Sequence, residues 1–215
     1  MNLIKNTPLF GFPVMSTKID SKSYNKKSII SAIEKNFKLN KTRNKLDKRG
    51  VAHHAYRDFD NPKYHKVNFD TLVPVYKEVL RAMFDSMGLP SSTFRFEFKI
   101  VNYTCMSNSH YLTSHLHTGA DFTAVHYIQF DKKYHTPTVF ENTLPHADYL
   151  SHLRPKLAKI LGGKDARHSW AYVNWSLDIE EDDFCFLPAY LKHRVETQTP
   201  KNKNRITITL NIYLE

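Results

Sequence analysis

S-H-L-H-T-G-A-D-F-T-A-V-H-Y-I-Q-F, at residues 114–130, is the most informative stretch of this chain for its fold. From residue 122 onward it alternates with a period of two, the spacing of a β-strand with two distinct faces. One predicted face carries Phe122, Ala124, His126, Ile128 and Phe130, and the other carries Thr123, Val125, Tyr127 and Gln129. Just ahead of this strand, His115 and His117 lie two residues apart, so an extended backbone would turn both imidazoles to the same side. Such a pair can chelate one metal ion if a third ligand comes from elsewhere in the chain.

A candidate for that third ligand is His193, far downstream. It follows an apolar run that ends at Pro188 and a short turn. Two imidazoles from one segment and a third from a distant turn would hold a metal and leave further coordination positions open. We therefore predict a metal site formed by His115, His117 and His193.

The segment R-I-T-I-T-L-N-I-Y-L, Arg205–Leu214, has the clearest strand pattern in the chain. Its aliphatic face carries Ile206, Ile208, Leu210, Ile212 and Leu214, and its polar face carries Arg205, Thr207, Thr209, Asn211 and Tyr213. A strand with a polar inner face and an aliphatic outer face suits a barrel wall that encloses a wet pocket and has helices packed outside.

These segments together resemble the Fe(II)/2-oxoglutarate-dependent oxygenases, and more narrowly the branch of that superfamily found in bacteria and phages. The matching segments are H-L-H at 115–117, Tyr127-Ile128, the turn from Leu187 to His193, and R-I-T-I-T-L-N at 205–211. L-F-G-F-P-V at 9–14 is similar to the opening of that branch, and the likeness is specific from about residue 100 onward.

The resemblance implies a mainly β (α+β) chain with a double-stranded β-helix core, also called a jelly-roll or cupin-like core, and N-terminal helices packed outside it. It also implies Fe(II) as the metal, with 2-oxoglutarate and O2 as cosubstrates. The implied activity is the hydroxylation of a substrate with release of succinate and CO2. A protein side chain such as a prolyl group is the favoured substrate by analogy, with a nucleobase or a small metabolite as alternatives.

Individual residue roles follow from the same resemblance. Arg205 would pair with the distal carboxylate of 2-oxoglutarate, and Thr207 would add a hydroxyl hydrogen bond. Tyr127 would donate to the same carboxylate, and Asn211 would line the pocket. His115, His117 and His193 would be the iron ligands.

One departure from the commonest family pattern concerns the second ligand. Most relatives have Asp or Glu where this chain has His117. Either three histidines ligate the iron, or one of them is replaced by the carboxylate of Asp121, which has the same strand parity. We favour the three-histidine site.

The rest of the chain is interpreted as helices first and strands afterwards, in a single domain over 1–215. A helical and basic flank (1–92) precedes the β-helix core (93–215). Periodicity predicts helices at Ser23–Phe37 and Asp70–Met87, the second capped by Asp70 and ended by Gly88 and Pro90. It predicts strands at Thr93–Tyr103, Thr136–Phe140 and Ser169–Ile179. A loop over Lys38–Gly50, a helix or irregular insert over Tyr149–Leu161, and a solvated acidic turn over Glu180–Asp183 complete the prediction.

Cysteine and hydropathy patterns point to a cytoplasmic protein, in the host cell if the chain is phage-encoded. Cys105 and Cys185 lie in separate apolar runs without metal-binding spacing, so we predict two reduced core thiols, which suits a reducing compartment. No apolar run approaches membrane-spanning length, so no membrane partner is expected.

Charge is distributed unevenly along the chain, whose formal net charge is +10. Residues 1–66 hold fifteen Lys and Arg against five Asp and Glu, whereas the remainder is balanced at sixteen of each. A basic flank can attract nucleic acid, an acidic protein or an acidic substrate, and it can equally be a solvated surface.

Two other functions compete with the oxygenase interpretation. One is a cupin-like metal protein that does not use 2-oxoglutarate, and the other is a non-enzymatic β-barrel module, such as a phage structural or nucleic-acid-binding component. The Arg205-x-Thr207 pattern downstream of His193 discriminates against the cupin-like protein, because only 2-oxoglutarate use accounts for it. The non-enzymatic module would draw on the basic first third of the chain.

Overall fold

The computed structural model of the chain describes residues 3–9, 12–40, 53–54, 62–143, 155–156, 173–199 and 203–215. Within these ranges lie two helices, α1 (Lys26–Asn40) and α2 (Leu72–Ser86). The strands are β1 (Lys5–Leu9), β2 (Phe12–Lys18), β3 (His53–His54), β4 (Phe96–Met106), β5 (Leu112–His115), β6 (Phe122–Gln129), β7 (Thr138–Glu141), β8 (Asn174–Ser176), β9 (Asp183–Pro188), β10 (His193–Val195) and β11 (Arg205–Leu214).

The strands form two antiparallel sheets. The larger has the order β1-β2-β9-β6-β11-β4-β3, and the smaller has the order β5-β10-β7-β8. Strands β4 to β11 are shared four and four between the sheets, and the neighbours in each sheet come from distant parts of the chain. This is the connectivity of a jelly roll, the double-stranded β-helix. The predicted fold class is therefore confirmed.

Both helices pack on the outer face of the large sheet. Four residues of the aliphatic face of β11, from Ile206 to Ile212, are fully buried there, together with Ile33 of α1 and Tyr76 and Phe84 of α2, whereas Leu214 at the strand end is 41% exposed. Burying one such side chain contributes roughly 1.5–3 kcal/mol. The outer layer is consequently the main hydrophobic core, as the alternation along β11 predicts.

Strand β4 contains a bulge that the sequence does not predict. Its pairing with β11 slips between Thr209, which faces Asn102, and Leu210, which faces Ile100, so Val101 is an extra residue. After an extra residue, the odd- and even-numbered side chains of a strand exchange faces, so the other set points toward the helices. Tyr103 therefore packs in the outer core, and the side chains on either side of it turn toward the barrel interior.

Element ends differ from the sequence prediction. Helix α1 begins at Lys26 and continues to Asn40, into the start of the predicted loop. The N-cap of α2 is Thr71 without a side-chain hydrogen bond, so the prediction that Asp70 caps this helix is wrong. Gly88, at φ +77°, ends α2 as predicted, because glycine adopts the left-handed region without strain.

The strand predictions hold with shifted ends. β4 begins at Phe96 and ends at Met106, β7 covers Thr138–Glu141, and β8 covers only Asn174–Ser176 of the predicted 169–179 strand. Residues 169–172 lie outside the described residues. So do residues 41–50 of the predicted loop and the predicted insert over 149–161, apart from residues 155–156, which are helical.

The acidic turn is more buried than the sequence predicts. Asp182 is 8% exposed and adopts φ +69°. Its Oδ1 accepts a hydrogen bond from the Tyr24 hydroxyl at 2.6 Å, and its Oδ2 lies 2.6 Å from Lys26 Nζ. The prediction of a solvated turn is thus wrong for Asp182, because a lysine and a tyrosine from the α1 region compensate for the burial of its charge.

Two buried residues extend this contact toward α2. His126, with no exposed surface, has its Nδ1 2.9 Å from the Tyr76 hydroxyl and its Nε2 3.8 Å from Asp182 Oδ1. We call Tyr24, Lys26, Tyr76, His126 and Asp182 the outer polar cluster.

Both cysteines are free and buried, which confirms the predicted core thiols. Neither helix in the described ranges combines the length and the apolar character needed to cross a membrane.

Candidate metal centre

Three histidines meet at one end of the small sheet. His115 ends β5 and pairs directly with His193, the first residue of the neighbouring strand β10. His117 follows β5 by two residues, and its ring is stacked on that of His193 with centroids 5.3 Å apart. One ring nitrogen from each histidine lies within 4.8 Å of the others. The structure thus brings together all three histidines singled out in the sequence, and we call them the histidine cluster.

The three rings are oriented by hydrogen bonds. Each Nδ1 donates to an oxygen, so the lone pair of each ring is on Nε2. This is the usual state of a histidine that binds metal through Nε2. The three bonds are His115 Nδ1 to Thr113 O at 2.9 Å, His117 Nδ1 to Asn211 Oδ1 at 2.8 Å, and His193 Nδ1 to Leu191 O at 2.8 Å.

Electrostatics favour neutral rings at the cluster. Burial, with a further contribution from neighbouring His115, lowers the pKa of His193 to about 3. Burial also lowers the pKa of His117. Neutral imidazole is the form that binds metal, and three such donors fit a divalent transition metal.

Asp121 is not part of this cluster. Its Oδ2 accepts a hydrogen bond from the backbone N–H of Leu214 at 2.8 Å, and its side chain is exposed. Among the described residues, the group able to hold a metal comprises only the three histidines.

A narrow cavity of about 30 Å3 runs from the cluster into the barrel interior. Its walls combine the three histidines with threonines, Arg205 and a few aliphatic side chains. The lining residues are Asn102, Thr104, Leu112, His115, His117, Val125, Thr138, His193, Val195, Arg205, Thr207 and Thr209.

Arg205 is only 1% exposed and lies on this cavity. Its Nε donates to Thr136 O at 3.1 Å, and its guanidinium lies 5.1 Å from the centre of the Tyr127 ring. In the part of the chain that the structure describes, no carboxylate pairs with it. Burial lowers the pKa of Arg205, yet a guanidinium stays charged in proteins. A buried cation without an anionic protein partner is costly unless a ligand supplies the charge.

Of the remaining predicted pocket residues, only Thr207 lines the cavity, and Tyr127 and Asn211 contact residues that line it. The Oγ1 of Thr207 lies 2.7 Å from that of Thr104. The Tyr127 hydroxyl donates to Thr138 Oγ1 at 2.7 Å, and burial raises the pKa of Tyr127 to about 12. Thr138 therefore stands between Tyr127 and the cavity. Asn211 contacts the ring of His117, so its observed partner is a cluster histidine.

Three polar residues of the cavity are absent from the sequence prediction, namely Asn102, Thr104 and Thr138. The bulge at Val101 turns the first two inward, and strict alternation would have turned them outward. Thr138 lies on the predicted 136–140 strand, where no motif distinguishes it.

Comparisons with known proteins give only distant likenesses. A solved 2OG-Fe(II) oxygenase family oxidoreductase from Burkholderia pseudomallei aligns with 9% identity and a TM-score of 0.44, over 70% of this chain and 61% of that one. A prolyl-4-hydroxylase from Pseudomonas putida aligns with 10% identity and a TM-score of 0.44, over 88% of this chain and 82% of that one. No protein-family model matches the chain, and no curated protein is significantly similar to it.

Proposed function

We propose that this protein is an Fe(II)- and 2-oxoglutarate-dependent dioxygenase that hydroxylates a substrate with release of succinate and CO2. The observation that carries the proposal is the buried Arg205 on the same cavity as the histidine cluster, with no carboxylate partner in the described part of the chain. A cation and a metal site joined by one cavity suit a ligand with a carboxylate at each end.

In this proposal His115, His117 and His193 hold the iron, and Asp121 stays outside the site. Support comes from the three Nδ1 hydrogen bonds, which leave every Nε2 free to ligate. Asp121 is instead held by the backbone of Leu214.

Arg205 and its neighbours would bind the distal carboxylate of 2-oxoglutarate. Arg205 supplies the charge, and the hydroxyls of Thr207 and Thr138 supply hydrogen-bond donors on the same cavity. Tyr127 acts by contact with the guanidinium face and with Thr138, which restricts how Arg205 can move.

The bound iron and cosubstrate would supply the activation of O2 and the oxidation of a C–H bond. The chain's own residues bind and orient these groups, and the narrow cavity limits the water that can reach them. A cupin-like protein would need the histidine cluster but has no use for a buried arginine in the same cavity.

The test is optical and anaerobic. Fe(II) with 2-oxoglutarate should give the weak visible charge-transfer band of a chelated 2-oxoacid, and O2 should then cause slow release of succinate. His193→Ala should abolish iron binding. Arg205→Ala should weaken the binding of 2-oxoglutarate by about 2–5 kcal/mol, the cost of truncating one partner of a buried charge pair, while iron still binds.

A wild-type protein that gives neither the band nor succinate would overturn the oxygenase proposal in favour of the cupin-like one. Unchanged iron stoichiometry in His193→Ala would refute the ligand assignment. Asp121→Ala separates the two ligand sets, because it should leave iron binding nearly intact.

We also propose a cytoplasmic location, which the two separate buried thiols favour. Separately, we propose that the basic N-terminal third contacts an acidic partner. Many of its charged residues, over 41–50, lie outside the described residues.

A further inference from the structure

A second, wider space opens directly outside the histidine cluster. It is a cleft of about 670 Å3, lined by the four consecutive β4 residues Lys99–Asn102 and by residues of β5 and the segment after it. His115 and His117 belong to the linings of both the inner cavity and this cleft. A molecule in the cleft would therefore lie against the candidate metal centre.

The β4 wall of the cleft is the edge of the strand. Successive side chains of a strand point to opposite faces, so a space that touches four consecutive residues runs along the edge and not over one face. The bulge at Val101 lies within this run and locally disrupts the regular ladder.

Both walls belong to strands with an unpaired edge in the part of the chain that the structure describes. Beyond its pairing with β11, β4 pairs only at Thr104 and Cys105, with β3. Strand β5 ends the order of the small sheet and pairs only with β10. Two rows of backbone donors and acceptors thus border one cleft, which is the arrangement that accepts an added strand.

Asn102 gives an independent sign of a ligand at the inner end of the cleft. Its Oδ1 is shielded from solvent and has no hydrogen-bond partner among the described residues. Asn102 lines both the cavity and the cleft. A buried carbonyl oxygen without a donor is unfavourable, and a peptide N–H in the cleft would satisfy it.

The chemistry of the lining selects among possible substrates. Apolar side chains such as Ile100, Leu112 and Leu116 supply contact area, and Leu116 is 43% exposed. Apart from the histidines, Lys99 is the only titratable side chain among the described lining residues, and no aromatic ring is present there. Single-stranded nucleic acid is usually held by stacked aromatic rings and a row of cations, which this lining does not offer.

We propose that the substrate is an extended peptide segment of a protein, bound as a strand between the edges of β4 and β5. This rests on the proposed function, since it names the substrate of that same site. Asn102 accepts a hydrogen bond from a backbone amide of the peptide, and Lys99 favours an acidic side chain near the outer end. The side chain to be hydroxylated then lies over the histidine cluster.

The test is a binding selection that does not depend on turnover. Anaerobic protein with Fe(II) is mixed with a positional-scanning pool of acetylated, amidated octapeptides, and bound species are recovered by gel filtration and identified by mass spectrometry. Pools of DNA and RNA octamers and of free amino acids and organic acids compete in the same mixture. We expect peptides to be recovered, enriched in Asp or Glu at one end. The same peptides methylated on alternate backbone nitrogens should be lost, because strand addition needs those N–H groups.

Variants then locate the binding. Lys99→Glu should change the selected end residue from acidic to basic, whereas Lys77→Glu, on the exposed side of α2, should change nothing. Asn102→Ala should lower the affinity for a selected peptide by about tenfold, because one buried hydrogen bond is lost. Its thermal unfolding and its iron content serve as controls for the fold.

Recovery of nucleic acid or small acids in place of peptides would overturn the inference, as would peptides that bind equally well after N-methylation. The outcome is separable from that of the proposed function. Peptides selected by a protein that shows no charge-transfer band leave the inference standing and refute the oxygenase. A charge-transfer band without any selected peptide would support the oxygenase and refute the peptide inference.

Discussion

Each face of the large sheet buries a charged group, but the two faces differ in whether the protein supplies the opposite charge. On the outer face, Asp182 is neutralised by Lys26 and bonded by Tyr24, both from the N-terminal part of the chain. On the inner face, Arg205 has no carboxylate partner among the described residues. The charges of the outer polar cluster are compensated within the protein, whereas the charge of Arg205 would be compensated by the ligand that we propose.

This contrast is the one we expect between a structural charged group and a ligand-binding one. Burial alone does not separate the two, since Asp182 and Arg205 are both largely inaccessible. What separates them is whether the protein supplies the opposite charge, because an unpaired buried charge is unfavourable. Substitutions on either face test this, beginning with Asp182, where the expected change in free energy is greatest, and ending with Arg205, where it is least.

Asp182→Asn should destabilise the protein by about 2–3 kcal/mol, because it weakens the hydrogen bonds that a buried carboxylate accepts from Tyr24 and Lys26. Lys26 keeps a second anion in this variant, since Glu181 Oε1 lies 2.8 Å from its Nζ. Asparagine tolerates the positive φ, so backbone strain is not introduced. Urea unfolding measures the change. Glu180→Gln is the matched control, because the Glu180–Lys18 pair is about half exposed and should leave the free energy of unfolding unchanged. Equal effects of the two substitutions on the free energy of unfolding would contradict a structural role for the outer polar cluster.

Asn211→Ala should lower the affinity for Fe(II) by about 10–100-fold, since His117 loses the acceptor that orients its ring. Asn211→Asp keeps an oxygen at that position and should retain most of the affinity. Anaerobic titration with Fe(II) measures both. A large loss in the Asp variant as well would show that Asn211 acts by other means than accepting from Nδ1.

His126→Gln should flatten the pH dependence of stability. Burial, with a smaller contribution from Lys26, lowers the pKa of His126 to about 3, and its neighbours are Tyr24, Tyr76 and Asp182. Its stabilisation is thus complete above the unfolded pKa of about 6.5 and is lost as the pH falls toward 3.

Between these limits one histidine contributes a slope of up to about 1.4 kcal/mol per pH unit. Urea unfolding of metal-free wild type and variant from pH 7 to pH 4.5 measures the difference. Parallel pH profiles would contradict the assignment of a neutral, structural His126.

Arg205→Met should leave the free energy of unfolding unchanged or raise it by about 1 kcal/mol, because an apolar side chain replaces a buried cation that has no carboxylate partner among the described residues. The same variant should lose the stabilisation that 2-oxoglutarate gives to the iron-loaded wild type. Thermal unfolding with and without 2-oxoglutarate measures both effects. A marked loss of stability without ligand would place Arg205 with Asp182 among the structural charges.

The elements predicted best are those whose pattern is uninterrupted. β11 begins and ends where the alternation from Arg205 to Leu214 does, and its two faces pack as expected. β4 is predicted less well, because the bulge at Val101 depends on the partner strand and leaves no local signal. The division into one domain and the narrower likeness to a bacterial and phage branch stay predictions.

The candidate site divides in the same way. The H-L-H spacing and the distal histidine point to the cluster, because ligand chemistry restricts residue type and local spacing. The partners of those ligands are not visible in sequence: Asn211 as the acceptor for His117, Thr138 between Tyr127 and the cavity, and the unpaired edges of the cleft all depend on strand pairing.

Sequence alone was enough to predict the alternating strands, the aliphatic layer for the helices and the residue types of a metal site. These properties depend on periodicity and on side-chain chemistry, which are local. Only the folded chain shows that Asp182 has a lysine partner while Arg205 has no carboxylate partner among the described residues, and that Asp121 is bonded to the backbone of Leu214. Those outcomes depend on which distant segments meet, and contacts between distant segments arise only when the sheets close around the cavity.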